Sequence, residues 1–133
     1  MGNSQTTLKI NFEDMQTIIK NTKEYLLINV LSKEEQSCLI FNTIDINNEE
    51  NIMNNLLENK HKGHKIVIYG KNSNDEKIFN KYNQLKSLGF LNIYIYTGGL
   101  FEWMLLQDIY GENEFPTTSR EFDILKFKPT RCI

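Results

Sequence analysis

The stretch Lys65-Ile66-Val67-Ile68-Tyr69-Gly70-Lys71-Asn72-Ser73-Asn74-Asp75 runs from β-branched apolar residues through a glycine into a polar loop, and a helical pattern follows. Strand, tight loop and helix in that order aim backbone N–H groups at an anion or a reactive sulfur. The loop opens on Gly70, so the position that would hold the reactive atom has no side chain. The pattern is that of a catalytic scaffold whose nucleophile is missing.

On either side of this stretch, helix and strand patterns alternate. Upstream, Phe12, Met15, Ile18 and Ile19 share one face of a helix expected from Phe12 to about Lys20, with Asn11 as its N-cap. Tyr25-Leu26-Leu27-Ile28-Asn29-Val30 reads as a strand. A charged loop from Ser32 to Gln36 leads to a second apolar run, Cys38 to Phe41, expected as the next strand. Ile52, Met53, Leu56 and Leu57 predict a helix from Asn48 to Lys60. Downstream, Ile78, Phe79, Tyr82 and Leu85 predict an amphipathic helix capped by Asp75 or Asn74 and closed by Gly89. Leu91 to Tyr96 is the last strand, Gly98-Gly99 a turn, and Leu100 to Tyr110 a helix ended by Gly111. The alternation predicts an α/β fold with a mostly parallel central sheet flanked by helices. Ligands of such sheets gather at the carboxyl ends of the strands, where Gly70 and Gly98-Gly99 both fall.

At 133 residues the chain is one domain, able to bury a core without metal or disulfide staples. Residues 1–9 read as a flexible lead, 10–125 as the domain and 126–133 as a tail. A net charge of −2 with mixed signs argues against a dedicated nucleic-acid binder. No apolar run approaches the roughly 18 residues of a membrane span, and no signal-peptide pattern opens the chain. Cys38 and Cys132 have neither metal-ligand spacing nor a disulfide framework, which suits reduced thiols in the cytoplasm. No cofactor or metal is expected. Seventeen Asn and no Ala point to A+T-rich coding bias, and Asn also lowers helix propensity.

Three passages together resemble a single-domain rhodanese, the fold of sulfurtransferases and of certain cell-cycle phosphatases. Tyr25 to Val30 is similar to the early strand "LLIDVR", and Lys65 to Asp75 to the active-site strand and loop. Lys86-Ser87-Leu88-Gly89-Phe90-Leu91-Asn92-Ile93, followed by Gly98-Gly99-Leu100-Phe101-Glu102-Trp103, is similar to "LxxxGFxNV…GGxxxW" and is the most specific of the three. The likeness spans about residues 10 to 125 and implies a three-layer rhodanese-like fold. It also implies that the loop should open on a persulfide-bearing cysteine, and that position is Gly70. The aspartate and arginine usual after the early strand correspond to Asn29 and Leu31, so an ion pair is gone. The last loop position is Asp75, an acid that disfavours thiosulfate or phosphate. As a helix cap, its carboxylate would occupy the donors that elsewhere hold the anion.

Other residues offer little rescue. Ser73 needs a general base within hydrogen-bond reach. His61 and His64 precede the strand that the loop follows, and five residues at about 3.3 Å each put its ends roughly 15 Å apart. Both histidines are expected as solvated loop residues beside Lys60, Lys62 and Lys65. Cys38 reads as a buried, inert thiol and Cys132 as an exposed one without an activating cradle. Lys71 reads as a solvated loop lysine. The residues thus predict a degenerate loop (Gly70, Lys71, Asn72, Ser73, Asn74, Asp75) in a non-catalytic binding or regulatory module with a protein partner. The alternative is an enzyme that handles a small sulfur compound or anion in the space Gly70 leaves.

Two further segments bear on partners. In the helix Leu100 to Tyr110 only Glu102, Gln107 and Asp108 are polar, and they form no continuous face. Burial on most sides under a strap of Phe115-Pro116-Thr117-Thr118 and Phe122 is expected, against a partner-facing role for Trp103 and Tyr110. Met1-Gly2-Asn3-Ser4-Gln5-Thr6 fits the M-G-x-x-x-[ST] pattern for N-myristoylation at Gly2. One acyl chain binds a membrane only marginally, so peripheral attachment needs a second signal, for which the basic tail from Lys126 to Cys132 is the candidate.

Overall fold

Side chains alternate across the strands and sort into two cores, one on each face of a single sheet. The computed structural model describes residues 8–133. Strands β1 (Leu8–Ile10), β2 (Tyr25–Asn29), β3 (Lys65–Tyr69) and β4 (Ile93–Tyr96) pair in the order β1-β4-β3-β2, every pair parallel. Helices α1 (Phe12–Ile18), α2 (Ile46–Glu58), α3 (Lys77–Ser87) and α4 (Gly99–Tyr110) flank it. Leu27, Val67, Tyr69 and Tyr96 face Met15 and Ile18 of α1 and Trp103 and Met104 of α4. Ile28, Ile66, Ile68 and Ile95 face Met53 of α2 and Ile78 and Leu85 of α3. The result is the expected three-layer α/β architecture with a parallel sheet.

Local chemistry explains the element ends. Asn11 caps α1 in a capping box, its Oδ1 accepting from the Asp14 N–H at 2.9 Å while the Asp14 carboxylate accepts the Asn11 N–H at 3.1 Å. Helix α2 starts two residues before its expected position because Asp45 caps it, accepting the Asn47 N–H at 2.8 Å. Gly89 and Gly111 leave α3 and α4 with φ of +100° and +99°, a conformation that favours glycine.

Several expectations are corrected. Leu8 and Lys9, read as part of a flexible lead, belong to β1, because Leu8 and Lys9 pair with Tyr94 and Ile95. Cys38 to Phe41 is not a strand of the sheet. Cys38, Leu39 and Ile40 are all buried in succession, and this segment instead meets the 115–118 strap through one antiparallel bridge, Ile40 to Thr117. The Thr118 N–H donates to the Leu39 carbonyl at 2.8 Å and the Phe41 N–H to the Pro116 carbonyl at 3.1 Å. The final residues are not wholly a tail, since Phe127 is 1% exposed in the α1/α4 core and its carbonyl accepts from Asn72 Nδ2 at 2.9 Å.

Helix α4 is less covered than expected. Trp103 is buried and donates from Nε1 to the Pro116 carbonyl at 3.0 Å, and Phe115 packs on its ring, so the strap exists. Phe122 is not part of it, being 84% exposed, and Leu105, Ile109 and Tyr110 also face outward. Among the described residues no helix is long and apolar enough to cross a membrane. Gly2 lies outside the described residues.

If the 3₁₀ turn Ile124–Phe127 is part of the folded unit, Phe127→Ala should cost about 3–5 kcal/mol, as buried phenylalanine truncations do. Urea unfolding measures this, and a loss near zero would return these residues to a tail.

Candidate functional site

The parallel strands deliver their carboxyl ends to one rim, and the loop from Gly70 to Glu76 lies there between β3 and α3. The loop is pinned to the first turn of α4. The Leu100 N–H donates to the Gly70 carbonyl and the Phe101 N–H to the Lys71 carbonyl, both at 2.9 Å. Gly99 has φ +70°, and a Cβ there would lie 2.9 Å from the Asn72 backbone, so glycine is required by conformation and by space. Asn72 is buried, with Oδ1 accepting the Asn74 N–H at 2.9 Å and Nδ2 tying the loop to Phe127.

Asp75 closes the loop from within. Its Oδ2 accepts the Lys71 N–H at 2.9 Å and its Oδ1 the Lys77 N–H at 3.1 Å. A Cβ at position 70 would lie 2.7 Å from Asp75 Oδ2 and 3.0 Å from its Cβ and Cγ. Gly70 is therefore excused a side chain by its neighbour rather than by a positive φ. The carboxylate thus occupies the space beside Gly70. The residue at the cap position of α3 is Glu76, whose side chain makes no capping bond, so Asp75 serves the helix from one residue earlier than a standard cap.

The surroundings are mixed in charge. Lys71 is not a free loop lysine, because its Nζ pairs with Glu35 Oε2 at 2.7 Å. The Ser32 hydroxyl donates to Glu35 Oε1 at 2.8 Å. The Lys71 hydrogen bond, then the Ser32 one, outweighs partial burial and holds the Glu35 carboxyl below its ordinary value of 4.5. An open depression of about 510 Å³ runs past Glu35, Lys71, Asp75, Glu76 and Lys77, so its mouth carries three carboxylates and two ammonium groups. That balance does not favour an anionic ligand.

The early strand ends in a neutral pair. Asn29 is buried, its Oδ1 accepting the Leu31 N–H at 3.0 Å and Gln36 Nε2 at 2.8 Å, while its Nδ2 donates to Gln36 Oε1 at 3.1 Å. An amide pair thus ties the end of β2 to the next turn. Gln36 and Glu35 were missed in the sequence as site residues. Ser32 and Glu35 form an S-x-x-E pattern that could have flagged the second, whereas the Asn29–Gln36 pair left no local signal.

The remaining candidates are dispersed. Ser73 is exposed, and among the described residues no side chain hydrogen-bonds it. His64 directly precedes β3 and Gly70 directly follows it, so the two sit at opposite ends of that strand. His61 is exposed as expected, but His64 is half-buried, with Nε2 shielded and no partner among the described residues. Cys38 is 3% exposed, its thiol 3.3 Å from the Ser119 carbonyl and pushed up in pKa by burial, so it is an inert core group. Cys132 is exposed. On β4, the Tyr96 hydroxyl donates to Glu102 Oε1 at 2.5 Å, and burial followed by that bond pushes its pKa far above the ordinary value.

Residues 12–106 match the family profile described as Rhodanese-like domain. The structure is similar to that of the Alr3790 protein from Anabaena sp., with a TM-score of 0.58 at 21% identity over 88% of this chain and 84% of that one. It is similar to the Saccharomyces cerevisiae single-domain sulfurtransferase RDL2, with a TM-score of 0.56 at 14% identity over 82% and 98%. A third likeness is to Ygr203w, a yeast protein tyrosine phosphatase of the rhodanese family, with a TM-score of 0.57 at 15% identity over 91% and 99%. At these identities the structures establish the fold. No curated protein sequence is a significant match.

The Glu35–Lys71 pair makes a pH-dependent prediction. A carboxyl whose folded pKa is lowered contributes stability above its unfolded pKa and loses it as pH falls through the folded value. Lys71→Met should therefore cost up to about 1 kcal/mol near neutral pH, the partial exposure of the pair limiting the effect. The difference from the parent should shrink as pH falls below 4.5, the ordinary Glu value. Urea unfolding across that range checks it, and a pH-independent gap would assign the loss to packing of the lysine stem.

Proposed function

The chain belongs to the rhodanese-like domain family, and from that premise we propose that it has lost persulfide chemistry and uses the fold as a binding or regulatory module for a protein partner. The position that corresponds to the family's catalytic cysteine is Gly70. The observation that carries the reading is the Asp75 carboxylate, 2.7 Å from where a side chain at position 70 would begin and bonded to the Lys71 and Lys77 N–H groups. A nucleophile and its anionic substrate would need that volume and those donors, and an internal carboxylate holds both. Among the described residues no side chain rescues the chemistry, since Ser73 lacks a base there and Cys38 is buried elsewhere. The outward-facing Leu105, Ile109 and Tyr110 on α4 are consistent with a partner surface. Acylation of Gly2 is part of this proposal, and it is read out as a fatty-acyl increment in the intact mass of protein from its native cell; an unmodified mass removes it.

The purified chain should produce no cyanide-dependent thiocyanate from thiosulfate, and turnover at ordinary sulfurtransferase rates would overturn the proposal. Gly70→Cys alone should remain inactive and lose about 1–3 kcal/mol through overpacking against Asp75. Combining Gly70→Cys with Asp75→Ser should recover much of that stability. A fully active and fully stable Gly70→Cys variant would show that Asp75 does not block the loop.

A further inference from the structure

The amino ends of the parallel strands gather at the rim opposite the Gly70 loop, and lysines concentrate there. Lys65 opens β3, its Nζ 5.2 Å from the centre of the Tyr25 ring at the start of β2. Lys60 and Lys62 lie in the connection that enters β3, Lys23 in the turn that enters β2, and Lys86 in the last turn of α3 before β4. Backbone bonds hold the connections together, with the Leu91 N–H on the Lys62 carbonyl at 3.0 Å and Asn92 Nδ2 on the Gly63 carbonyl at 2.7 Å. Glu24 and Glu58 are the acidic residues of the same segments, in a chain whose net charge is −2. The ion pairs among the described residues use Lys71, Lys81, Arg120 and Lys126, leaving this group uncompensated by them.

Two leucines stand among these lysines. Leu91 is 69% exposed and Leu88 41% exposed, both in the α3–β4 connection that touches Lys62. Lysines around projecting aliphatic side chains suit the boundary between headgroups and acyl chains: the charges meet anionic headgroups and the leucines reach the apolar layer. Bases of a nucleic acid would instead call for exposed aromatic rings to stack on. The chain also enters the domain at this end, since Leu8 begins β1 alongside Tyr94 of β4.

We infer that the rim formed by the amino ends of β2, β3 and β4, with Lys23, Lys60, Lys62, Lys65 and Lys86 around Leu88 and Leu91, docks on an anionic phospholipid surface. It places the second membrane signal on this rim rather than on the Lys126–Cys132 tail. The inference does not depend on acylation or on the state of the Gly70 loop.

The test is vesicle flotation of the unacylated full chain, with phosphatidylcholine alone and with phosphatidylcholine mixed with phosphatidylserine. Binding is expected with the anionic vesicles only and should fall steeply with added salt. Lys60→Glu with Lys62→Glu should weaken it by about tenfold or more, the loss expected from reversing two charges near an anionic surface. Lys23→Glu with Lys86→Glu should act in the same direction, so the result does not hang on the folding of one variant. Lys33→Glu with Lys128→Glu changes net charge equally at the opposite end and should leave binding intact. The inference is overturned by no binding to anionic vesicles, by equal losses in the rim and control pairs, or by rim-dependent binding to single-stranded RNA that exceeds vesicle binding. Each failure would leave the reading of Gly70 and Asp75 standing, because the loop takes no part in the assay.

Discussion

Parallel pairing of all four strands is the constraint on which the other features rest. A parallel strand cannot return by a hairpin, so each pair needs a crossover, and the crossovers bury both sheet faces under helices. Two cores follow, with Val67, Tyr69 and Tyr96 on one side and Ile66, Ile68 and Ile95 on the other. Parallelism also gives the molecule two unlike rims. One receives every carboxyl end, and with it the Gly70 loop and the Gly98-Gly99 turn; the other receives every amino end, and with it the lysine-rich connections.

At the carboxyl rim, polar groups are satisfied by the protein itself. The Asp75 carboxylate bonds the Lys71 and Lys77 N–H groups, Asn72 reaches both Asn74 and Phe127, Lys71 pairs with Glu35, and Asn29 pairs with Gln36. Such a network favours one loop conformation, since unmet donors in this half-buried setting are costly. The Lys71, Asn74 and Lys77 N–H groups of this rim thus bond to acceptors within the protein.

Much of the fold was legible in the chain. The apolar runs of Tyr25–Asn29 and Lys65–Tyr69 and the helical spacing of Met15, Ile18, Ile78 and Leu85 are local patterns, and those elements lie where they were expected. The run Cys38 to Phe41 misled because a short apolar run has no period of its own; consecutive burial against the 115–118 strap looks like a strand in one dimension. Phe127 misled for a similar reason: one aromatic among lysines carries no periodic signal, and its core position depends on Asn72, 55 residues earlier.

The sequence by itself determined the alternation of strands and helices, the family likeness, and the residues standing at positions 70 and 75, because these depend on spacing along the chain. Only the tertiary structure decided that the Asp75 carboxylate occupies the volume beside Gly70, that Gln36 pairs with Asn29, and that lysines from three separate connections share one rim. Those facts depend on distances between residues that the crossovers bring together. Periodicity reports which face of its own element a residue occupies, and packing alone settles what lies opposite.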